Sequence, residues 1–359
     1  MSAPTAYLNA IGTAVPDHDI HDAFIAWAQA RVAPERARLF ARMAARSGIG
    51  HRWSVLPRGD ADGPGGGSPV AAGGFYADAL PGTTARMRVY TGAAPTLALS
   101  AIEQLAAQVA LEGISHLVVA SCTGFVAPGI DQIIAARLGL VPSVERLLIG
   151  FMGCYAAVAA LRSARHIVRS DPAARVLVVA VELSTLHLQD TAEIEPLLAM
   201  LQFGDGAAAA LVSAAPGGLA LGQPFATTLP DSAELIKWDI TDSGFAMHLS
   251  GEVPARIAAG LADPDFARAA TGGHDVAAID GWAVHAGGRS ILDAVQGALA
   301  LDPNALDASR GVLSRFGNMS SATLLFVLAD LLAGRRVAQG VALAFGPGLA
   351  AEGFGFASA

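Results

Sequence analysis

The stretch Gly150-Phe151-Met152-Gly153-Cys154-Tyr155-Ala156-Ala157 sets a cysteine between a glycine-bounded turn and an alanine-rich run. The run Tyr155–Val168 predicts a buried helix, against which other elements pack closely because its side chains are small. A helix start presents free N–H groups and the positive end of the helix dipole, which favour a thiolate over a thiol. An isolated cysteine is more often buried and inert. This context nevertheless indicates that Cys154 is a nucleophile, provided that a base lies elsewhere in the chain.

The composition limits the classes of protein that the chain can form. Its 359 residues are 53% apolar and 15% charged, enough for two domains or one duplicated domain with an oligomer interface. A net charge of −8 argues against general nucleic-acid binding. The longest charge-free stretch, Gly206–Pro230, contains three prolines, which excludes a membrane span there. Met1–Ala14 lacks the pattern of a signal peptide. Cys122 and Cys154 make neither a disulfide framework nor a zinc site, so we expect a cytoplasmic protein with reduced thiols.

Buried strands alternate with helices along the chain. Strands are predicted at 7–14, 115–121, 146–149, 175–181, 207–212, 277–284 and 341–345, and helices at 22–46, 96–111, 131–138, 155–168, 290–299, 304–315 and 322–332. This alternation predicts an α/β protein with a mostly parallel sheet and helices on both faces. We expect a duplicated core with halves at 1–213 and 214–359. No glycine-rich phosphate loop or dinucleotide fingerprint follows a strand, which excludes those two nucleotide sites.

Three polar residues stand where a strand or a turn gives way to a helix: Cys154, His285 and Asn318. In open α/β sheets such junctions gather in one crevice at the carboxyl ends of the strands. A histidine holds a cysteine as its thiolate by forming an ion pair with it. Imidazole and amide N–H groups also stabilise a developing oxyanion. None of the three residues alone is specific for a function, but together they place a nucleophile, a base and oxyanion donors at junctions of one kind.

Eight short segments carry a resemblance to one enzyme family, and they occur in order between about Ala6 and Phe356. The segments are Ser121-Cys122-Thr123-Gly124, Pro128-Gly129-Ile130-Asp131, Gly153-Cys154, Arg175-Val176-Leu177-Val178-Val179, Phe203-Gly204-Asp205-Gly206-Ala207-Ala208, His285-Ala286-Gly287-Gly288, Gly317-Asn318-Met319-Ser320-Ser321 and Phe345-Gly346-Pro347-Gly348-Leu349. The chain resembles the type III polyketide synthases, the chalcone-synthase-like branch of the thiolase-fold condensing enzymes. The resemblance implies a thiolase-like duplicated five-layer α-β-α-β-α core and a homodimer.

The resemblance also implies an activity, the decarboxylative Claisen condensation of malonyl-coenzyme A units onto an acyl-coenzyme A starter. The enzyme would be an acyltransferase whose substrates are coenzyme A thioesters, with no further cofactor and no metal. Cys154 would carry the starter as a thioester. His285 and Asn318 would hold the malonyl thioester carbonyl and stabilise both the enolate formed on decarboxylation and the oxyanion of condensation.

Further positions match the family's substrate-binding residues. Phe203 matches a gatekeeping phenylalanine between the coenzyme A tunnel and the cavity, and Gly346-Pro347-Gly348 matches a loop that shapes the cyclisation cavity. Arg42 and Arg46 share one helix face, which suits a phosphate clamp, and they match two basic coenzyme A positions. The third basic position falls on Leu39.

Three departures from the plant relatives bear on the product. Met247 stands in place of a second gatekeeping phenylalanine, and Ala127 in place of a methionine that plant enzymes send across the dimer. His187 falls near a pocket threonine. A flexible Met247 and a small Ala127 predict a longer or wider cavity. We therefore expect a medium- or long-chain fatty acyl starter and an alkylpyrone or alkylresorcinol-type product.

Other functions stay open at the level of the sequence. A chain-initiating ketoacyl-carrier-protein synthase shares the fold and the three catalytic residue types, but it places Gln and Asn after the histidine, where this chain has Ala286-Gly287-Gly288. A papain-type hydrolase conflicts with the parallel α/β pattern. A catalytically silent dimer partner conflicts with the intact Cys154, His285 and Asn318. A type III synthase that uses aromatic or malonyl-only starters is the remaining alternative.

Overall fold

The computed structural model describes residues 4–60 and 67–359. The stretch 57–81 is rich in Gly, Pro, Asp and Ala, which predicts a surface loop. Its residues 61–66 lie outside the described residues. The strands are β1 Tyr7–Ala14, β2 His18–Asp19, β3 Trp53–Ser54, β4 His116–Ala120, β5 Glu145–Ile149, β6 Val176–Leu183, β7 Asp205–Ser213, β8 Leu219–Thr228, β9 Ile236–Thr241, β10 Gly244–Leu249, β11 Gly281–Val284, β12 Gly340–Gly346 and β13 Ala350–Ser358. The helices are α1 His21–Gln29, α2 Pro34–Ala45, α3 Thr83–Ala106, α4 Ile130–Arg137, α5 Ala156–Ser170, α6 Ile194–Met200, α7 Val253–Ala262, α8 Pro264–Ala270, α9 Arg289–Ala298, α10 Asp307–Phe316 and α11 Ala322–Ala333.

Nine strands form one sheet in the order β11-β12-β13-β8-β1-β7-β6-β4-β5. The prediction of a mostly parallel sheet is wrong, because only the pairs β4–β5, β4–β6 and β11–β12 are parallel. Those strands are joined through helices, as parallel pairing requires. The short turn at 347–349 instead returns β12 directly into β13 as an antiparallel neighbour. The α/β class is confirmed, and the division of the chain at residue 213 stays a prediction.

The layers follow from the alternation of side chains along the strands. On β6, Val176, Val178 and Ala180 pack into one cluster with α5 and α11, whereas Leu177 and Val179 pack against α3 on the other face. Side chains along the strands of the second half alternate in the same way. Those on one face pack into the α5–α11 layer, and those on the other face pack into a cluster with α7 and α9. The order α3, strands, α5–α11, strands, α7–α9 is the five-layer arrangement expected for a thiolase-like fold.

Two helix predictions need correction. The helix predicted at 22–46 is two helices, because Pro34 excludes the helical conformation for the preceding residue and Ala33 is extended, with φ −54° and ψ 139°. The helix predicted to start at 96 begins at Thr83 and contains Pro95. Burial of Tyr90, Ala94 and Leu97 along one face holds that helix together despite the proline. Through the described parts of the chain, no helix combines the length and the apolar character needed to cross a bilayer.

Candidate active site

Cys154 lies in a tight turn at the start of the central helical layer. A short 3₁₀ turn, Gly153–Tyr155, leads directly into α5. Gly153 has φ +66°, and a Cβ there would lie 2.5 Å from Cδ of Pro347. Only glycine permits this conformation and this close approach, so the Gly346-Pro347 segment is pressed against the turn that carries the nucleophile. The turn is also fixed on its other side, where Gly153 N donates to Cys122 Sγ at 3.0 Å.

A small cavity of about 30 Å³ (the volume open to the centre of a water molecule) adjoins Cys154, and we call it the Cys154 cavity. Its wall contains the predicted residues Phe203, Met247 and Pro347 together with Cys122, Thr123, Phe151, Gly153, Cys154, Ile236, Trp238 and Ser320. Gly346 packs against the turn that carries Cys154, since a Cβ at Gly346 would lie 2.6 Å from Cδ1 of Tyr155. Gly348, with φ +71°, faces open space. Ala127 is exposed on the loop before α4 and does not line the cavity of its own chain.

Asn318 approaches Cys154 from the end of the turn that follows α10. Its backbone pairs with the segment before β7, through Asn318 N to Gln202 O at 2.8 Å and Gly204 N to Asn318 O at 3.0 Å. Its side chain is oriented by Nδ2 donating to Gly287 O at 3.2 Å and Oδ1 accepting from Ser320 N at 2.8 Å. The other N–H of the amide is the one that reaches the Cys154 sulfur, and a substrate oxygen that replaces this contact can accept from it.

His285 follows β11 and is 2% exposed. Its backbone N–H donates to Leu343 O at 2.8 Å, which anchors the residue to β12. Both ring nitrogens are buried and lack a hydrogen-bond partner among the described residues. Buried polar groups in folded proteins are nearly always paired, so both ring nitrogens are open to a ligand. His285 is not among the residues that line the Cys154 cavity, and its role beside Cys154 stays a prediction.

Burial decides the resting charge of the site. It raises the pKa of the Cys154 thiol to about 12, and the charge of Glu182 adds to this, whereas hydrogen bonds with the Ser320 and Asn318 side chains oppose it. Burial also lowers the pKa of His285 to about 3. The expected preference of the helix start for a thiolate is therefore outweighed. The resting site holds a neutral thiol and a neutral imidazole.

Glu182, at the end of β6, is a buried carboxyl that the sequence analysis did not identify. Its Oε2 accepts from Cys122 N and from the Thr123 hydroxyl, each at 2.9 Å, and its Oε1 accepts from the Ser321 hydroxyl. Burial raises the pKa of Glu182 to about 7, although these hydrogen bonds lower it. Glu182 thus cross-links the Cys122 segment to the Asn318 segment and places a titratable charge near Cys154.

Replacing Glu182 should change how stability depends on pH. The folded-state pKa of about 7 exceeds the ordinary value of 4.5, so the folded protein binds the proton more tightly than the unfolded chain. Its stabilising contribution is complete below pH 4.5 and is lost as pH rises through 7. We expect the unfolding free energy of wild type, relative to Glu182→Gln, to fall by up to about 3 kcal/mol across this range. Urea unfolding of both proteins at several pH values measures the difference.

The comparison with the variant removes effects that the two proteins share. Burial lowers the pKa of His187 and of His285 to about 3, which makes stability rise with pH over part of the same range, but equally in both proteins. Glu193→Gln, at an exposed carboxyl before α6, is the matched control and should leave the pH profile unchanged. A constant difference between wild type and Glu182→Gln from acid to neutral pH would contradict the prediction.

The two predicted coenzyme A arginines lie in one open pocket. Arg42 of α2 and Arg46, the residue after the end of α2, line a polar pocket of about 400 Å³ together with Arg289, the first residue of α9. Arg289 joins the two helices, since its Nη1 donates to Arg46 O at 3.3 Å. Asp293 also lines the pocket and pairs with Arg289 at 3.5 Å. Three guanidinium groups against one carboxylate leave the pocket positively charged, which suits a phosphorylated ligand. Arg289 was missed because its proximity to α2 arises only in the fold, and Leu39 does not line the pocket.

A second cavity lies behind the first one, and we call it the apolar cavity. It has a volume of about 80 Å³ by the same measure, and its lining is largely apolar. Its walls come from α1, from residues 68–76, from 184–189 and from α6. Phe203, Trp238 and Met247 line both cavities and so form the partition between them.

Aromatic rings extend from this partition to the surface. Phe245 stacks on His187 at 4.2 Å and on Phe125 at 5.9 Å, and its ring centroid lies 6.2 Å from that of Trp238. His187 is fixed as a neutral ring, because Nε2 donates to Thr123 O at 2.7 Å and Nδ1 accepts from Phe245 N at 3.0 Å. His187 lines the apolar cavity rather than the Cys154 cavity. Aromatic rings therefore form much of the wall on this side of both cavities.

Two family models match the chain along its length. The model described as the N-terminal domain of chalcone and stilbene synthases matches residues 1–216, and the model described as their C-terminal domain matches residues 221–359. The alpha-pyrone synthesis polyketide synthase-like Pks18 of Mycobacterium tuberculosis is 35% identical over 270 residues, which are 72% of this chain and 67% of Pks18. Pks18 of Mycobacterium bovis matches to the same extent.

Solved structures are similar over the whole chain. PKS-I from the brown alga Ectocarpus siliculosus superposes with a TM-score of 0.85 and 28% identity, covering 100% of both chains. The C-terminal type III polyketide synthase domain of Steely1 from Dictyostelium superposes with a TM-score of 0.84 and 25% identity, covering 99% of both chains. The segments that hold Cys154, His285 and Asn318 all lie within the matched ranges.

Proposed function

This chain belongs to the chalcone and stilbene synthase family and is a type III polyketide synthase, and from that premise we propose that it extends a fatty acyl starter held on Cys154. The observation that carries the proposal is the apolar cavity behind Phe203 and Met247. An acyl chain attached at Cys154 reaches that cavity by displacing the partition. The name of Pks18, which refers to alpha-pyrone synthesis, supports a pyrone-type product, and an alkylresorcinol is the other product class that we propose.

Starter loading uses the neutral pair of the resting site. The His285 imidazole takes the thiol proton of Cys154 while the sulfur attacks the thioester carbonyl of the acyl-coenzyme A. The carbon–sulfur bond to coenzyme A then breaks, and the leaving thiolate receives the proton from His285. The free N–H of Asn318 donates to the oxyanion formed in between. Because burial raises the pKa of the thiol to about 12, proton removal and attack are coupled in one step.

Chain extension uses the same donors for a different oxygen. Malonyl-coenzyme A loses carbon dioxide, and the electron pair of the broken bond forms an enolate whose oxygen accepts from Asn318 and from His285. The enolate carbon attacks the thioester carbonyl on Cys154, a carbon–carbon bond forms, and the Cys154 thiolate leaves and is protonated from solvent. Arg42, Arg46 and Arg289 hold the phosphates of coenzyme A at the surface pocket. The extended chain returns to Cys154 for the next round.

The space for a long starter comes from the apolar cavity and not from the position of Ala127. Met247 and Ala127 together predict a larger cavity, but Ala127 lines neither cavity of its own chain. The extra space is the apolar cavity, which lies behind Met247 on the far side of the partition that Phe203, Trp238 and Met247 form. Each methylene buried there contributes about 0.8 kcal/mol. A starter of several carbons thus gains binding free energy that a short starter does not.

Purified enzyme with malonyl-coenzyme A and a panel of starters tests this function. We expect kcat/KM to rise with alkyl length, and Met247→Phe to shift the optimum toward shorter chains, because a rigid ring closes the partition. Met247→Leu, which conserves volume, is the control and should keep the wild-type profile. Turnover of aromatic or malonyl starters alone, with fatty acyl-coenzyme A inert, would sink the proposal. A requirement for an acyl-carrier protein would favour the ketoacyl synthase alternative.

We propose that the enzyme is a homodimer. Phe125, Phe151, Leu147 and Leu148 are large apolar side chains, each between 42% and 52% exposed, and they lie on and beside β5. The β5 strand is the last of the nine-stranded sheet, so its outer edge is unpaired within the chain. Exposed Ala127 lies on the loop between Phe125 and α4, as a residue near the partner would. A second copy is the proposed occupant of this face.

Sedimentation tests the dimer directly. We expect a particle of two chains for wild type, and a shift toward the single-chain mass for Leu148→Asp, because a carboxylate in a closed apolar interface is left without a partner. Ile240→Asp, at an exposed apolar residue on β9, is the control and should sediment as wild type does. A wild-type mass of one chain at every concentration would contradict the proposal.

A further inference from the structure

The apolar cavity contains hydrogen-bond donors that nothing in the described chain satisfies. Arg52 Nη2, Ser184 Oγ and Trp238 Nε1 are buried and lack a partner, and all three side chains line this cavity. Arg52 is 1% exposed and Ser184 is 7% exposed. A cavity meant for a plain hydrocarbon chain gains nothing from such groups, and each unsatisfied donor costs about 1–3 kcal/mol.

Arg52 is the strongest of the three donors because it is charged, and its guanidinium carbon lies 4.6 Å from the centroid of the Phe24 ring. Its Nε donates to His21 Nδ1 at 3.1 Å, and its Nη1 donates to Met200 O and Phe203 O at 3.0 and 2.8 Å. Through residues 4–60 and 67–359, it makes no ion pair within 4.0 Å. Its Nη2 is thus the one part of the guanidinium left to serve a molecule in the cavity.

Two carboxylates, Asp19 and Asp205, attract the charge of Arg52, but both already accept hydrogen bonds from other groups. Asp19 accepts from His51 and from the backbone N–H groups of His21 and Arg52. Asp205 accepts from Val55 N at 2.9 Å and from both the N–H and the hydroxyl of Thr185. These contacts hold the two carboxylates away from the Nη2 atom. They moderate the charge of Arg52 without satisfying its free donor.

We infer that the apolar cavity takes an acyl starter whose far end carries a hydrogen-bond-accepting oxygen, a hydroxyl or a carboxylate. This inference rests on the proposed function, because it names the class of starter for the same site. The thioester end of such a starter is fixed at Cys154, its methylenes pass the partition, and its terminal oxygen accepts from Arg52, with Ser184 and Trp238 as further donors. A chain of matched length satisfies groups that a methyl end leaves unpaired.

Arg86 provides the comparison that separates a ligand-binding arginine from a structural one. It is also fully buried, and it donates to Pro81 O, Leu186 O and Leu188 O at 2.7–2.8 Å. Its Nη2 also lacks a partner, but Arg86 does not line the apolar cavity. The two arginines therefore share burial and a role in binding backbone carbonyls, and they differ in contact with the cavity.

Matched pairs of starters test the inference on the wild-type enzyme. Coenzyme A thioesters of equal chain length ending in methyl, hydroxyl or carboxylate are compared over a series of lengths, with kcat/KM for product formation as the readout. We expect one length at which an oxygenated starter is preferred over its methyl counterpart by about ten- to a hundredfold, the range for a hydrogen bond to a charged group. A preference for the methyl-ended starter at every length overturns the inference.

Three variants locate the origin of the preference. Arg52→Lys, whose single ammonium is drawn to the Met200 and Phe203 carbonyls, should lose about tenfold or more of it. Ser184→Ala removes one neutral donor and should lose about two- to tenfold. Arg86→Lys is the control and should keep the wild-type preference. If Arg52→Lys fails to fold, Ser184→Ala and the wild-type series decide. A preference undiminished in both cavity variants overturns the assignment.

The readouts distinguish this inference from the proposed function beneath it. Intact-protein mass reports whether each thioester loads on Cys154, and product mass reports whether it is extended. If methyl-ended starters load and are extended as well as the oxygenated ones, only the inference about the far end fails. If no alkyl starter of either kind is extended, the proposed function fails with it.

Discussion

Cys154→Ala should abolish formation of the acyl-enzyme. Incubation of wild type with an acyl-coenzyme A starter, without malonyl-coenzyme A, should add one acyl group per chain on intact-protein mass spectrometry, and the variant should show none. The reason is the position of Cys154 in the turn before α5, where Asn318 and Ser320 approach its sulfur and oppose the rise of its pKa. Alanine occupies less volume than cysteine and adds no new polar group, so the fold should survive.

Cys122 is the competitor that this experiment must exclude, because both cysteines line the Cys154 cavity. Burial raises the pKa of Cys122 well above its usual value, and the charge of Glu182 raises it further. Its sulfur also accepts from Gly153 N at 3.0 Å, which occupies it in supporting the turn. Cys122→Ala should therefore still form the adduct. An adduct that persists in Cys154→Ala, or that disappears only in Cys122→Ala, would show that the nucleophile is misassigned.

Asn318→Ala should slow the decarboxylation of malonyl-coenzyme A by about 100- to 1,000-fold, roughly 3–4 kcal/mol of transition-state stabilisation. The enolate oxygen is where negative charge develops, and the amide of Asn318 is held toward it by Gly287 O and Ser320 N. Release of carbon dioxide from malonyl-coenzyme A measures the effect. Asn318→Asp keeps the shape but replaces the N–H donor with an acceptor, so it should be about as slow.

Starter loading gives the internal control for Asn318. His285 still accepts the thiol proton in Asn318→Ala, so the acyl-enzyme should form at a reduced but measurable rate. Asn304→Ala, in an exposed turn before α10, should leave carbon dioxide release at the wild-type rate. Near-normal release from Asn318→Ala would remove this residue from the mechanism, while loss of both activities together would point to a damaged fold.

The site residues that can be predicted from the sequence are those whose signal lies in the few residues around them. Cys154, His285 and Asn318 each stand in a segment with glycines or small residues beside a strand or helix end, and such junctions converge at one edge of a sheet. The break between α1 and α2 is equally local, because Pro34 dictates it, and closer attention to that proline predicts it. Local signals of this kind carry the fold class and the candidate catalytic residues.

The remaining features depend on contacts between distant segments. Glu182 is a single carboxyl at the end of an apolar strand, and only the approach of Cys122 and Ser321 makes it part of the site. Arg289 joins Arg42 and Arg46 through a contact across 243 residues of sequence. The antiparallel majority of the sheet arises from pairings such as β1 with β7, which no repeat or turn signal announces.

The pressing of Pro347 against Gly153 has a consequence for the newly made protein. Two segments complete the nucleophile's surroundings, Asn318 to Ser321 and Gly346 to Gly348, and both leave the ribosome well after the Cys154 turn. The α11 helix of the central layer also emerges after α5. Until then, the face of α5 and β6 that packs with α11 is exposed to solvent. A nascent chain that ends before residue 318 carries a cysteine without its oxyanion donor. Translation therefore delays thioester chemistry until the Asn318 segment has joined the Cys154 turn.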